Sequence, residues 1–335
     1  MDHQPNVSRL RTGISRAITL AAFIGVAASA SGLAHAQDQY PVRPIKLVVG
    51  FAAGGPTDIL ARVVGAAMSK TMGEQVFIEN RTGAGGNIAT EAVSRADPDG
   101  YTIQMTLMSS AINESLFKKF KVRFADSFVP IGGIAQTGLV LLAHSSLGVN
   151  NASDLIKLAK SKPGELLYAS AGTGTATHLG AELFNSIAGT KMMPVHYKGG
   201  GETVKDLLSG EVKLMFSTIP PVLGFVKEGR LKGIATTRIK REAVLRNLPT
   251  IAESGLPGFD MPLWFGLAAP KGTPKPIVDK LVAELNKALK QPEVLQALAK
   301  QGFEPMIMGP EEFGKFYVTE AAKWAKVVKA VGLSR

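Results

Sequence analysis

No cysteine occurs anywhere in the 335-residue chain. That excludes disulfides, thiol nucleophiles and cysteine-ligated zinc, and with them the lipid anchor that exported bacterial proteins carry on a cleavage-site cysteine. Histidine is scarce, five in all; His144 and His196 lack ligand-like spacing, so no metal site is expected. Acids are outnumbered by bases, 27 to 38, for a formal charge of +11. The bases are scattered, so the excess reads as a general field drawing small anions and not as a nucleic-acid arm. The densest clusters, Lys118-Lys119-Phe120-Lys121 and Arg238-Ile239-Lys240-Arg241, read as solvated surface. No apolar run reaches the roughly 20 residues that a membrane span needs. Ala17 to Ala30 comes nearest, behind Arg9, Arg11 and Arg16 and before Ala34-His35-Ala36. This is the pattern of a cleaved export signal over residues 1–36, with a mature start at Gln37. Its removal takes the charge to +9, and no adjacent arginine pair marks a twin-arginine route.

What is present is an alternation of β-rich and helical runs, the pattern of an α/β protein. Ile45 to Phe51 reads as a buried parallel strand. Ile59, Leu60, Val63, Val64, Ala67 and Met68 then recur at helical spacing within Thr57 to Met72. Strands follow at Val76 to Glu79 and Thr102 to Leu107, with a helix beginning near Asn87 between them. Two apolar runs, Phe128 to Ala135 and Leu139 to Ala143, meet across Gln136-Thr137-Gly138. A second series follows, with helices at 152–161, 176–188 and 202–208 and strands at 166–170, 193–197, 214–218 and 231–237. After an apolar run at Leu263 to Ala268, helices at 276–289, 292–301 and 310–331 close the chain. The expected organisation is one lobe of residues 37–136 plus 262–335, with residues 137–261 inserted as a second. The hinge then lies near Ile134 to Leu139 and Pro257 to Trp264, with Trp264 packing in it.

Two of these strands run into a glycine-rich turn that opens a helix. In the first, Phe51-Ala52-Ala53-Gly54-Gly55-Pro56-Thr57-Asp58, two glycines permit positive φ and close ligand approach. Pro56 begins the helix without wasting a donor. The second is Ser170-Ala171-Gly172-Thr173-Gly174-Thr175, running on to Thr177 and His178. Backbone N–H groups at such a turn, with about half a positive charge at the helix start, grasp an anion. The hydroxyls of Ser170, Thr173, Thr175 and Thr177 make an uncharged polar lining suited to a carboxylate. Asp58 would repel an anion, so its carboxylate reads as structural. His178 either reaches the ligand or bonds the loop. Phe51 either packs on the ligand's carbon skeleton or belongs to the core. A third turn, Gly83-Ala84-Gly85-Gly86-Asn87, reads as cleft wall, with Asn87 capping its helix. Lys198 either attracts a far acid group or is solvated. Gly172-x-Gly174 resembles the opening of a dinucleotide fingerprint, but Thr177 stands where the third glycine belongs. No cofactor is expected.

Over most of its length the chain resembles a known family. The residues that carry this are Tyr40-Pro41-Val42-Arg43-Pro44-Ile45, Phe51 to Arg62, Glu79 to Ile88, Asp97-Pro98-Asp99-Gly100-Tyr101, and Ser170 to Leu179. Pro194 to Gly199, Pro249 to Gly255 and Trp264-Phe265-Gly266 add to it. The resemblance is to the solute receptors of tripartite tricarboxylate transporters, also called Bug receptors. It implies a hinged, two-lobed periplasmic binding fold closing in Venus-flytrap fashion on a small organic anion. Such a receptor acts as a monomer and hands its carboxylate to the membrane permease subunits. Carried onto this chain, the first clamp is Phe51, Ala53, Gly54, Gly55, Pro56, Thr57 and Asp58. The second is Ser170, Ala171, Gly172, Gly174, Thr175 and His178, with Tyr197 beside it. Ser217 departs from the aspartate common at that place in the family, which disfavours a ligand carrying an ammonium group.

Three functions fit this reading: a transport receptor, a ligand sensor for a membrane histidine kinase, and a periplasmic hydrolase. The first two need only two distinguishable conformations. Against the third, the chain lacks a Gly-x-Ser-x-Gly elbow, a His-Glu-x-x-His motif and an evident catalytic acid pair, so no catalytic residue is assigned.

Overall fold

The computed structural model describes residues 40–197 and 200–333. The expected export signal lies outside the described residues, as do Lys198 and Gly199.

The first series of elements is β1 (Ile45–Val49), α1 (Pro56–Met72), β2 (Val76–Asn80), α2 (Asn87–Ser94), β3 (Thr102–Leu107), α3 (Met108–Leu116), α4 (Phe124–Ser127) and β4 (Phe128–Thr137). The second is β5 (Leu139–Ala143), α5 (Ala152–Ser161), β6 (Leu167–Ser170), α6 (Ala176–Ala188), β7 (Met193–His196), α7 (Gly200–Ser209), β8 (Leu214–Thr218), α8 (Leu223–Lys227) and β9 (Lys232–Thr236). The chain ends with β10 (Leu263–Pro270), α9 (Lys275–Leu289), α10 (Pro292–Lys300), β11 (Glu304–Met308) and α11 (Pro310–Ala330).

The strands form two sheets, ordered β11-β4-β10-β3-β1-β2 and β7-β6-β8-β5-β9. Within the first, β2, β1 and β3 run parallel; within the second, β7, β6 and β8 do. Parallel strands put their C-terminal ends on one edge, where ligand sites of open α/β sheets lie. Burial follows the sequence. All eight residues of β10, Leu-Trp-Phe-Gly-Leu-Ala-Ala-Pro, and all five of β5 are covered on both faces. On α1, Leu60, Val64, Ala67 and Met68 form the buried stripe. Pro56 opens that helix, and Gly73, at φ +75°, closes it with its N–H on the Ser69 carbonyl.

The chain passes from the first sheet to the second at Gly138. Thr137 pairs with Leu263 of β10, and Leu139 pairs with Thr218 of β8. It returns through residues 260–262. One buried threonine ties the two crossings together. Thr237 Oγ1 accepts the Leu139 N–H at 2.8 Å and donates to the Met261 carbonyl at 3.0 Å. The Thr237 backbone also exchanges bonds with Leu139 and Met261. The tail packs against the first series of elements: α9 packs on α1, and α11 packs on α3 and β4.

Trp264, read as packing in the hinge, stands at the start of β10 against α11. It is fully buried, donates its indole N–H to Glu320 at 3.0 Å, and meets Phe313, Phe316 and Tyr317 edge-on. An indole on an inward-facing strand position finds its polar partner in the helix beneath. It therefore locks the returning strand to α11. Asn87 does not cap α2. Gly86 holds the cap position with no side-chain bond, and Asn87 Oδ1 instead accepts from Asn113 at 2.8 Å.

Candidate ligand-binding cleft

The first turn leaves β1 at Gly50 and enters α1 at Pro56. Ala52, Ala53 and Gly54 are exposed, and Thr57 and Asp58 are buried. Gly54 sits at φ +78° with no atom within 4 Å of where a Cβ would stand, so glycine is required there by conformation and not by space. Asp58 holds the turn. Its carboxylate accepts the Gly54 N–H at 2.9 Å, the Arg62 guanidinium at 2.8 and 3.0 Å, and the Asn80 amide at 2.9 Å. Burial pushes the Asp58 carboxyl up, but these donors outweigh it and hold it below the usual range. Asn80 also donates to the Phe51 carbonyl at 2.9 Å, so β2 fixes both ends of the turn. Ile59 is the first residue with a helical bond, to Gly55. The N–H groups of Thr57 and Asp58 have no intrahelical acceptor and point out of the helix start.

The second turn is held without charge. Thr177 Oγ1 accepts the Ala171 N–H at 3.0 Å, and Ser170 Oγ accepts that of Gly172 at 3.2 Å. Thr175 Oγ1 donates to the Gly172 carbonyl at 2.7 Å and lies 3.0 Å from Thr177 Oγ1. The expected hydroxyl lining is thus turned largely inward, onto the loop itself. His178 takes the loop-holding role of its two readings: buried, it accepts the Gly174 N–H on Nδ1 at 3.3 Å. The exposed His196, unremarked by spacing, stands edge-on to it with ring centroids 4.8 Å apart and lies 3.2 Å from Ser170 Oγ. The helix bonds of α6 begin at Leu179, so the N–H groups of Ala176 and Thr177 face outward as those of α1 do.

Tyr197 serves this turn through its backbone, its N–H bonding the Ser170 carbonyl at 2.9 Å. Its hydroxyl is committed to Asp206 at 2.9 Å; burial and that carboxylate push the phenol up to about 12. Ser217 is buried and donates to the Thr218 carbonyl.

One row of contacts brings the two turns together. A Cβ on Gly86 would touch the Phe51 ring at 3.4 Å, which places that ring on the third turn. The Gly85 carbonyl accepts from Asn113 Nδ2 of α3 at 3.0 Å. A Cβ on Gly174 would meet Asn113 Oδ1 at 3.4 Å and Leu116 Cδ2 at 2.5 Å. Helix α3 therefore touches both the third turn and the second glycine turn, which lies directly on it. The cations nearest the first turn are paired, Arg62 with Asp58 and Arg81 with Glu79. Among the described residues no cluster of three metal-ligating side chains occurs. Each of the two turns leads into a helix start with outward N–H groups, an arrangement that suits an anion held without a full counter-charge.

At the crossing, Arg238 is buried between two carboxylates, 2.6 Å from Glu304 of β11 and 3.5 Å from Glu242. Burial pushes the Glu242 carboxyl up to about 7; Glu304 adds to this and Arg238 opposes it.

The family model of the tripartite tricarboxylate transporter family receptor matches residues 60–333. The chain belongs to that receptor family. Solved structures agree in fold. The periplasmic binding protein BugD is 36% identical at a TM-score of 0.81, over 88% of this chain and 99% of its own. Rpa4515 of R. palustris, solved with adipate, is 34% identical at 0.82, over 88% and 98%. MatC from Rhodopseudomonas palustris, with bound malate, is 33% identical at 0.79, over 86% and 100%. The chain is therefore a two-lobed α/β protein of the Bug and tricarboxylate-receptor type, a family of periplasmic solute-binding receptors. Among the described residues no helix is long and apolar enough to cross a membrane.

Proposed function

We propose that this tricarboxylate-family receptor binds a small carboxylate between residues 40–136 plus 262–333 and residues 137–261, and delivers it as a monomer to membrane permease subunits. The observation that supports the reading is the row of contacts from Phe51 through Gly85, Gly86 and Asn113 to Gly174, which links the first glycine turn to the second. Asp58 in the first turn and Ser170, Thr175, Thr177 and His178 in the second hold the loops' shape, which leaves the N–H groups at the starts of α1 and α6 for the ligand. Such donors, fixed before the ligand arrives, cost no reorganisation when it binds, and each charge-assisted bond contributes roughly 1.5–3 kcal/mol.

Dicarboxylates of four to six carbons head the candidates, since malate and adipate occupy two related receptors and Ser217 leaves no carboxylate for an ammonium group. The test is a thermal-shift panel of small carboxylates on the purified protein, with calorimetry on each hit. A true ligand at a hundred times its dissociation constant adds about 2.7 kcal/mol of stability. A saturable one-to-one hit supports the receptor; a flat panel on ligand-free protein refutes a carboxylate as its cargo.

A further inference from the structure

Asn113 has a polar atom with nothing to do. The residue is fully buried, and its Nδ2 is engaged twice, with the Gly85 carbonyl at 3.0 Å and with Asn87 Oδ1 at 2.8 Å. Its Oδ1 is buried with no hydrogen-bond partner among the described residues. The amide cannot be turned over to relieve this, because the flip would set its oxygen against two acceptors. A buried acceptor left unsatisfied forfeits the bond it would make to water, so such an atom in a native protein calls for a reason.

Its surroundings supply one. Oδ1 faces the second glycine turn, 3.4 Å from where a Gly174 Cβ would stand. That turn belongs to the opposite sheet from α3. Its donors are loosely held: the Gly174 N–H reaches His178 only at 3.3 Å, and the Thr173 N–H has no acceptor among the described residues. A fixed acceptor on one lobe thus confronts loosely engaged donors on the other, beside the ligand clamps.

We propose that Asn113 is the latch of lobe closure. Its carboxamide is pinned to the first lobe through Gly85 and Asn87, and in the closed state Oδ1 accepts an N–H from the Gly172–Thr175 turn. A small shift of the turn, which already packs on α3, then satisfies an atom that has no hydrogen-bond partner here, and it draws the second clamp onto the ligand. Asn113 is a positioning residue that never needs to touch the cargo. The idea rests on the receptor reading, but it concerns the lobes themselves and is testable without a ligand.

Because the chain lacks cysteine, Lys70→Cys and Lys160→Cys place one spin label on each lobe. Electron–electron distance distributions are then recorded with and without adipate for the parent pair and for Asn113→Leu. The variant is expected to shift toward longer distances in both samples and to release adipate at least tenfold faster, with association unchanged. Asn87→Ala, which removes one pin and keeps the acceptor, is expected to melt lower with little change in distance. Should Asn113→Leu fail to melt cooperatively, Asn113→Ala takes its place with the same expectation. A variant distribution that superimposes on the parent's overturns the latch, as does an equal shift from Asn87→Ala. Distances that respond while neither adipate nor any other carboxylate binds refute the receptor reading and leave the latch standing.

Discussion

The two glycine turns have the same outline, strand, glycines, helix start, and are held by opposite means. The first is built around a buried carboxylate that gathers a backbone N–H, a guanidinium and an amide. The second is built from three hydroxyls and a neutral imidazole nitrogen. Charge-assisted bonds are about twice as strong as neutral ones, so the first turn is the stiffer of the two. The second is the more yielding, and it is the one that lies against α3. Similar motifs in sequence are therefore held with different stiffness.

Substitution of the glycines breaks the comparison most sharply. Gly174→Val sets a branched side chain against Leu116, at a position with φ +77°. Carboxylate affinity by calorimetry is expected to fall more than 100-fold, on the order of 3 kcal/mol. Gly54→Ala meets no atom and bears only the backbone cost of about 1–2 kcal/mol, so about a tenfold loss is expected. Next comes removal of each turn's anchor. Asp58→Ala strands the Gly54 N–H and Arg62 and is expected to lower stability by about 2–3 kcal/mol in a denaturant titration. Thr177→Ala loses neutral bonds and is expected to lower it by about 1 kcal/mol.

Acid sharpens the contrast further. The Asp58 carboxyl titrates lower in the folded chain than its ordinary 3.8. Its stabilisation is present above that value and is lost as pH falls through the folded pKa. The stability gap between parent and Asp58→Asn should hold from pH 8 to 5 and close in stronger acid. The gap for Thr177→Ala should stay flat throughout. The smallest effect belongs to the crossing. Glu242 is raised from 4.5 to about 7, so its contribution is full below 4.5 and is lost as pH rises through 7. Glu242→Gln should melt with the parent at pH 4.5 and a few degrees above it at pH 8.

Periodicity made most of the elements readable. Thr102–Leu107, Ala152–Ser161, Ala176–Ala188 and Leu214–Thr218 occupy the residues their spacing predicts. Helix α3 was not readable, because Met108-Ser109-Ser110-Ala111-Ile112-Asn113-Glu114 follows β3 without a cap or a clean apolar stripe and is buried on several sides. The short β11, carrying Pro305, was missed for want of length. With α3 went Asn113 and its contacts to the turns. The turns were visible, and the structural role read for the Asp58 carboxylate and the loop-bonding reading of His178 match bonds four residues long within their own loops. What was not visible was that the hydroxyls of Ser170, Thr175 and Thr177 turn onto the loop and that Tyr197 gives its hydroxyl to Asp206, because such choices depend on the folded loop and not on spacing.

Both tryptophans of the chain, Trp264 and Trp324, donate their indole N–H to the one carboxylate of Glu320. All of the indole emission therefore arises from a single buried spot beneath the first sheet, while residues 137–261 carry no indole at all. Followed beside far-ultraviolet circular dichroism, which sees helices in both, that emission is a native dye for one half of the molecule. If the two signals melt at different temperatures, the lobes unfold as separate cooperative units, and the order of their loss is read from the unmodified protein.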